Sequence, residues 1–452
     1  LFDKYVFLIL VAFEILISFT FLGYIHISPV SVTFAYIPIL IAACVLNTAH
    51  STMLGVVFGF ASMYKSNVFY ALLTDMMFSP FLSGNAFGSV VLSLITRTLF
   101  GFLSGLAFSA AKKSVHKKTW IAVFSMVMPM VHALLVMGAI KIFFAPDMRE
   151  YFLSPSLVLS NGASAVCAAV IMELVWKIQN QKFFKDIKIS VDQSKETAYI
   201  NSSKKHVIIW IFTVFAIGMT VAAALYFSER MSYMLFMHNI DVSHAIESDL
   251  TNLQIQFMAA MISLNVISIV ILVMGYKYTS YKNFLNELDA VTGVMGRRLF
   301  LACCKKAQNR TEVQKCRYGW FLFLDVDYFK KINDTCGHAV GDEVLRKVAL
   351  ILKDMFYDCG ITGRMGGDEF AVMIDKKDMT ENEMRAALER FLKEISDTPN
   401  NYYKVSCSIG ACRFEFPFNI SLIMNKADKL LYKAKQNGRG CYVLGTYDKN
   451  SD

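Results

Sequence analysis

Met365-Gly366-Gly367-Asp368-Glu369-Phe370 joins a pair of glycines to a pair of acids and an aromatic in one tight run. A second acidic cluster lies upstream at Phe323-Leu324-Asp325-Val326-Asp327, leading into Phe329-Lys330-Lys331-Ile332-Asn333-Asp334 and Gly337-His338-Ala339-Val340-Gly341-Asp342. The apolar run Trp320–Asp325 has the composition of a buried strand, and such a strand presents its last carboxylate at its tip. A glycine turn lets a second backbone, carrying Asp368 and Glu369, come close enough to hold a cation between the two. Carboxylates combined with substrate phosphates are the usual way a protein holds Mg²⁺. Singly, each acid also reads as a solvated turn residue; their joint spacing favours the cation.

These runs together resemble the GGDEF family of diguanylate cyclases, over roughly residues 285–446. Asp289-Ala-Val-Thr292-Gly293-Val-Met-Gly296-Arg297-Arg298 is similar to the family's opening signature, with Gly296 in place of the usual Asn. The closing signature is matched by Ala427-Asp428-Lys-Leu-Leu-Tyr432-Lys-Ala-Lys435-Gln-Asn-Gly438-Arg439, where Leu430 replaces an Ala. Ser408-Ile409-Gly410 also matches a family strand. The resemblance implies a cytosolic α/β, nucleotidyl-cyclase-like domain with a central, mostly antiparallel sheet. It implies that Asp325, the Val326 carbonyl and Asp368 ligate Mg²⁺ (or Mn²⁺), and that Glu369 binds a second metal or assists proton removal.

By the same resemblance Asn333 and Asp342 hydrogen-bond the guanine edge. An aspartate accepts from both N1–H and the exocyclic amine of guanine, which adenine cannot supply, and a buried acceptor left unpaired discriminates strongly. Asn333 also reads as a turn residue, and Asp342 as the N-cap of a helix starting near Glu343. Phosphate contacts are expected from Lys330, from backbone N–H groups around Tyr328 and Phe329, and from Lys435 and Arg439. Without the resemblance, 427–439 is an amphipathic helix with a basic end and a glycine stop. His338 reads as a structural turn histidine. Many relatives carry Arg-x-x-Asp shortly before the glycines, a site where product binds and inhibits. The matching positions hold Tyr357-Asp358-Cys359-Gly360, so no inhibitory site is expected there.

The rest of the chain has a different composition. Of 452 residues 55% are hydrophobic, and the formal net charge is +9. The apolar residues concentrate before residue 280 and the lysines cluster beside apolar runs, which points to membrane topology and not to nucleic acid. A helix needs about 20 apolar residues to cross a bilayer. Candidate spans are 5–26, 30–47, 51–70, 87–110, 119–144, 158–177, 207–227 and 255–276, with 71–86 ambiguous. The first is too long for a cleaved signal and lacks a small-residue cleavage site. Lys112, Lys113, Lys117 and Lys118, then Lys177 to Lys205, then Lys277 and Lys282 mark one side. The loops near 145–157 and 228–254 carry only Arg149 and Arg230. The positive-inside rule therefore predicts about eight spans in the cell membrane, with both termini and the catalytic region cytoplasmic. Of ten cysteines, Cys44 and Cys167 lie in apolar runs and the rest between Cys303 and Cys441, without Cys-x-x-Cys spacing. Reduced thiols are expected, without disulfides or zinc.

The expected domains are a six-helix bundle at 1–180, a cytosolic linker at 181–206, a two-helix unit at 207–276, a signalling helix at 277–289 and the catalytic domain at 290–446. That signalling helix reads equally as a cap on its own domain or as a dimer stalk. The bundle resembles the S components of energy-coupling-factor vitamin transporters, through Thr33–Leu40, Gly55–Phe60, Ser79–Leu82 and Arg97–Gly105. This resemblance implies a small vitamin-like ligand. Where those components dock through Ala-x-x-x-Ala, Ala12 is flanked by Leu8 and Leu16, which favours a receptor use. Gly101, Gly105 and Ser109 form a small-residue stripe for close helix packing. Glu14, Arg97, Lys141 and Glu173 fall in or at the ends of apolar runs, where an ionisable group marks a cavity or partner, or snorkels. Two function classes remain open on sequence alone. One is a membrane-bound homodimeric cyclase that converts two GTP to cyclic di-GMP and two pyrophosphates. The other is a receptor or transporter component whose GGDEF-like domain only senses GTP.

Overall fold

A computed structural model describes residues 1–20, 23–27, 30–68, 76–144, 155–194, 203–237, 244–308, 318–375, 378–397 and 405–447. The chain divides into two compact units, Leu1–Ser194 with Ser202–Thr279, and Ser280–Asp452 with Lys195–Asn201.

The first unit is helical apart from one hairpin. Helix α1 (Phe2–Phe19) precedes strands β1 (Tyr24–Ile27) and β2 (Val30–Thr33), which pair antiparallel. Then come α2 (Ile37–Val45), α3 (Thr48–Val68), α4 (Ala86–Lys113, with a π-helical turn at Val91–Ile95), α5 (Lys117–Phe143), α6 (Pro155–Asn180), α7 (Lys182–Gln193), α8 (Ser203–Met237) and α9 (His244–Asn286). Among the described residues, five helices are long and apolar enough to cross a membrane: Ala86–Lys113, Lys117–Phe143, Gly162–Asn180, Trp210–Met237 and Leu250–Asn286. The predicted span 30–47 is instead a strand followed by α2. Its 9 residues rise only about 14 Å against a hydrocarbon core of about 30 Å. Hydropathy could not see this, because hairpin and helix are apolar alike. The predicted linker 181–206 contains the amphipathic helix α7, and the predicted loop 228–254 is largely the facing ends of α8 and α9. Residues 145–154, 195–202 and 238–243 of the predicted loops lie outside the described residues, as does 71–75 of the ambiguous stretch.

The small-residue stripe does pack closely. A Cβ on Gly101 would meet the Ser51 carbonyl, one on Gly105 the Thr48 backbone, and Ser109 Oγ lies 3.3 Å from Thr48 Oγ1. Glu14 and Arg97 are buried. Arg97 Nη1 donates to the carbonyls of Leu92 (2.7 Å) and Ser93 (3.1 Å) in the π turn, and its guanidinium lies over Phe58 and Phe78. Glu173 pairs with Lys118 (3.4 Å) and Lys177 (3.6 Å), while Lys141 is exposed.

The second unit is a mixed sheet covered on both faces. Its strands are β3 (Met295–Gly296), β4 (Tyr318–Val326), β5 (Gly360–Gly366), β6 (Glu369–Ile374), β7 (Cys407–Glu415) and β8 (Tyr442–Thr446). In the order β3-β5-β6-β4-β7-β8 the inner four run antiparallel, while the edge strands β3 and β8 join in parallel. Strand β4 alternates between two cores. Trp320, Leu322, Leu324 and Val326 face α12 (His338–Phe356) and α13 (Glu381–Ser396). Phe321 and Phe323 face α10 (Arg297–Gln308), α14 (Ile420–Gln436) and Tyr281 and Phe284 of α9. With both faces apolar, β4 takes the centre of the sheet, and period-2 alternation puts Asp325 on the α14 side.

Helix α14 packs against β7 at Gly410, where a Cβ would run into the Ala427 carbonyl and the Leu431 amide. Backbone cannot yield as a flexible side chain can. Gly410→Ala is expected to destabilise the unit by roughly 1–3 kcal/mol, read as a lowered urea midpoint in pulse proteolysis; an unchanged midpoint would contradict this packing.

After α9 ends, Asp289 organises the return of the chain. Its Oδ1 accepts from Thr292 N (2.9 Å), Thr292 Oγ1 (2.8 Å) and Arg364 Nη1 (2.8 Å). Arg364 also donates from Nε (3.0 Å) and Nη2 (2.6 Å) to the Gly367 carbonyl. One guanidinium thus ties the glycine turn to the start of the domain. Partial burial alone would raise the Asp289 pKa, but the bonds from Arg364 and Thr292 outweigh it and hold it below the usual value. A depressed carboxylate stabilises the fold above its unfolded pKa of about 3.9, and that contribution disappears as pH falls through the folded value. Arg364→Gln should lower stability by about 2 kcal/mol near neutrality, and the gap from wild type should narrow below about pH 4. A gap that stays constant from pH 7 to pH 3 would show that Asp289 is not its source.

Candidate active site

The two acidic runs meet at one end of the sheet. Asp325 is the register partner of Glu369 across β4 and β6, and Val326 N donates to the Asp368 carbonyl (3.2 Å). Gly367, at φ 40, lets the chain reverse between β5 and β6, so Asp368 sits at the turn beside the tip of β4. Lys435, near the end of α14, reaches Asp325 Oδ2 at 2.7 Å. Burial raises the Asp325 pKa, Lys435 opposes this, and Asp368 and Asp327 add to the rise. Burial likewise raises Glu369, reinforced by the charges of Asp325 and Asp368. Crowded carboxylates pushed up by desolvation and by one another form a site short of positive charge. Among the described residues no three His, Cys, Asp or Glu side chains converge as a ready-made metal cage. A pair of neighbouring strand-end carboxylates that falls short of an all-protein cage suits Mg²⁺, which is usually bound through one or two carboxylates plus substrate phosphates.

Asp327 has no role in the sequence reading beyond membership of the acidic cluster, yet it is buried and fully engaged. Its Oδ1 accepts from Ser408 Oγ (2.6 Å), and its Oδ2 from Ser406 Oγ (2.8 Å) and Gly440 N (2.9 Å). Its own N–H donates to the Ser406 carbonyl at 2.9 Å. One carboxylate therefore joins the tip of β4, the start of β7 and the turn after α14. The signal for it was available: Asp325 and Asp327 share a face by alternation, and only one of them is needed at the tip. Arg364 carries a similar signal, as a charged residue inside an apolar strand just before the glycines.

Of the expected phosphate contacts, Tyr328 and Arg439 lie together just past the end of β4. Tyr328 (φ 55) and Arg439 (φ 67) both adopt left-handed backbone, uncommon for such side chains and typical of functional turns. They face each other, with the Arg439 guanidinium 4.8 Å from the Tyr328 ring centre and Nη1 3.4 Å from its hydroxyl. Tyr328 caps α11 (Phe329–Cys336), whose first N–H groups, from Phe329 onward, have no partner within the helix. Lys330 is exposed in that first turn. Lys435, also expected at phosphate, pairs here with Asp325. Asn333 lies within α11 and not in a turn. Its side chain presses on Gly341, leaving no space for a Cβ there. Helix α12 begins at His338 after Gly337, so Asp342 sits in its second turn and is not an N-cap; its nearest cation is Arg346 at 3.9 Å. Tyr357 is exposed at the end of α12, and Gly360 is buried at the start of β5, where a Cβ would meet the Met373 carbonyl.

Residues 286–441 match the family model described as diguanylate cyclase, GGDEF domain. Diguanylate cyclase A of Treponema denticola is 39% identical over 128 residues, covering 27% of this chain and 34% of that protein. Diguanylate cyclase DgcS of Shewanella oneidensis is 32% identical over 160 residues, covering 34% of this chain and 52% of that protein. The match thus spans between a third and about half the length of these relatives. Among solved structures, the coiled coil and GGDEF domain of DgcB from Caulobacter crescentus in complex with c-di-GMP is 23% identical, with a TM-score of 0.35, covering 40% of this chain and 95% of that chain. The family match falls on the acid-bearing turn, the β4 tip and the basic end of α14. Residues 286–441 are therefore a GGDEF domain.

Proposed function

We propose that the protein is a membrane-bound diguanylate cyclase that joins two GTP molecules into cyclic di-GMP. The observation that carries this reading is the crowding of Asp325, Asp368 and Glu369 at the tip of β4, with Lys435 at 2.7 Å as counter-charge. Asp325, the Val326 carbonyl and Asp368 would hold Mg²⁺ (or Mn²⁺), with Glu369 beside them. The bound cation would draw charge from the phosphate oxygens and lower the barrier to displacement. The α11 N-terminus, Lys330 and Arg439 orient the triphosphate, a helix start being a natural anion site. Asn333 and Asp342 select guanine by accepting and donating along its edge.

Each domain positions one GTP, so two chains face each other as a homodimer. The 3′-oxygen of one GTP attacks the α-phosphorus of the other, forming a phosphodiester as the bond to pyrophosphate breaks. The hydroxyl proton passes to a nearby carboxylate, and Glu369 is placed for this as the register partner of Asp325. A second, reciprocal attack closes the ring and releases a second pyrophosphate. Positioning and electrostatics supply most of the acceleration.

The helical unit is the input region. Its lysine distribution supports a cytoplasmic catalytic domain and cytoplasmic termini in a cell membrane. A small vitamin-like ligand for the 1–180 bundle is supported by Glu14, a fully buried carboxylate whose Oε2 has no hydrogen-bond partner among the described residues. Phe58, Phe100 and Tyr36 surround His132 in the same core.

Full-length protein in nanodiscs, given GTP and Mg²⁺, should yield cyclic di-GMP and pyrophosphate, and none with ATP. Asp368→Ala and Asp325→Ala should each cut the rate by at least about 10²–10³-fold while leaving the protein folded. Near-normal turnover by folded Asp368→Ala would sink the assignment, and a wild type that binds GTP without turnover would make the domain a sensor. Because Tyr357 and Gly360 replace the charged pair of the inhibitory site, added cyclic di-GMP should slow initial rates only by competing with GTP. Noncompetitive submicromolar inhibition that Asp358→Ala abolishes would contradict this.

A further inference from the structure

We propose that the helical unit carries a seat for one anionic phospholipid, its acyl chain in the cavity between α1, α2, α6, α7 and α9 and its headgroup on the lysines of α7 and α9. The inference goes beyond the cyclase reading and rests only on its premise that this unit lies in a membrane. The cavity encloses about 460 Å³ and is lined almost entirely by carbon, with Phe2, Ile41, Phe184, Ile187, Met274 and Tyr278 among its walls. That volume is within the usual range for a bound small molecule, about 300–1,000 Å³.

Helix α7 is the element that makes the seat. Phe183, Phe184 and Ile187 recur at helical spacing and form one wall, with Phe184 edge-on to Phe2 (5.4 Å) and Phe183 edge-on to Tyr278 (6.3 Å). From α9, Ile271, Met274, Gly275 and Tyr278 follow the i, i+3, i+4, i+7 pattern of a single helical face. The polar side of α7 carries the charge. Lys182 and Lys185 are exposed and have no ion pair among the described residues. Lys188 is occupied by Asp3 at 3.3 Å, and Lys277, between lining residues Gly275 and Tyr278, donates to Ser194 Oγ at 3.2 Å. Asp186 is the one acid between Lys182 and Lys188. An apolar cavity beside unpaired lysines, at the ends of helices long enough to span a bilayer, has the polarity of a lipid with a negative head. Basic pockets between such helices recognise anionic headgroups. A free phosphate would use the lysines alone, and a neutral lipid the cavity alone.

Gly275 separates these possibilities, since a Cβ there meets nothing within 4 Å and a larger side chain projects into empty space. Full-length protein would be reconstituted in nanodiscs of equal phosphatidylglycerol and phosphatidylcholine, re-extracted in mild detergent and weighed by native mass spectrometry. The expected result is one retained phosphatidylglycerol per chain. Gly275→Leu should lose it, and the exposed double variant Lys182→Gln/Lys185→Gln should weaken the preference for phosphatidylglycerol by roughly fivefold per lysine. Equal retention of both lipids by wild type, or undiminished retention by Gly275→Leu, would overturn the seat as adventitious lipid in a crevice. Recovery of the protein in the soluble fraction without detergent would instead overturn the membrane reading, and the seat with it.

Discussion

The buried carboxylate of Asp327 is the constraint from which the site takes its shape. A charge removed from water is tolerable only when its lone pairs are filled, and hydrogen bonds to charged groups are worth roughly 1.5–3 kcal/mol each. Here the donors come from Ser408 on β7, from Ser406 just before it and from Gly440 after α14. Two segments distant in sequence are thus gathered around one strand tip. The half-buried acid two positions earlier, Asp325, inherits its position from this arrangement, as does Lys435, which approaches from the helix leading into the Gly438–Gly440 turn. The acid at the strand tip and the acid that fixes the backbone are two positions apart, Asp325 inside β4 and Asp327 just past its end.

A second fixed point acts from the other side. Arg364 grips the Gly367 carbonyl and Asp289 together, so the glycine turn is not a free hairpin tip. Glycine at 367 is required by the backbone, at φ 40, but conformational freedom is a liability where an acid must be held to within a fraction of an ångström. The guanidinium removes that freedom. A permissive backbone clamped by a rigid, forked cation gives a turn that is sharp without being loose.

The acid runs, the glycine turn and the basic end of α14 were legible in the sequence because each is a local pattern with a local cause. The buried strand at Trp320–Asp325 was legible too, though not which of its side chains face which core. What escaped was non-local. Asp327 looks like any strand-end acid until β7 supplies its serines, and Lys435 looks free until the fold sets it against Asp325. Asp342 suggested a cap because the helix start was misplaced; Gly337 at φ 85 begins α12 earlier than the charge pattern implies. In the helical unit, hydropathy registered apolar length but not direction. The stretch 30–47 therefore read as one span, where the chain turns through a hairpin and a short helix. The wall-forming face of α7 was present as Phe183, Phe184 and Ile187, hidden under a lysine-rich composition.

The contact between Asn333 and Gly341 has a consequence for how the domain can vary. The amide oxygen of Asn333 occupies the volume that any side chain at 341 would need, although the two residues sit on different helices, α11 and α12. Neither position can therefore drift alone. A methyl group at 341 would evict the amide, and a shorter residue at 333 would leave a void against the neighbouring helix. Substitutions here should be inherited as pairs, so that a change at 333 carries a matching change at 341 as a record of it.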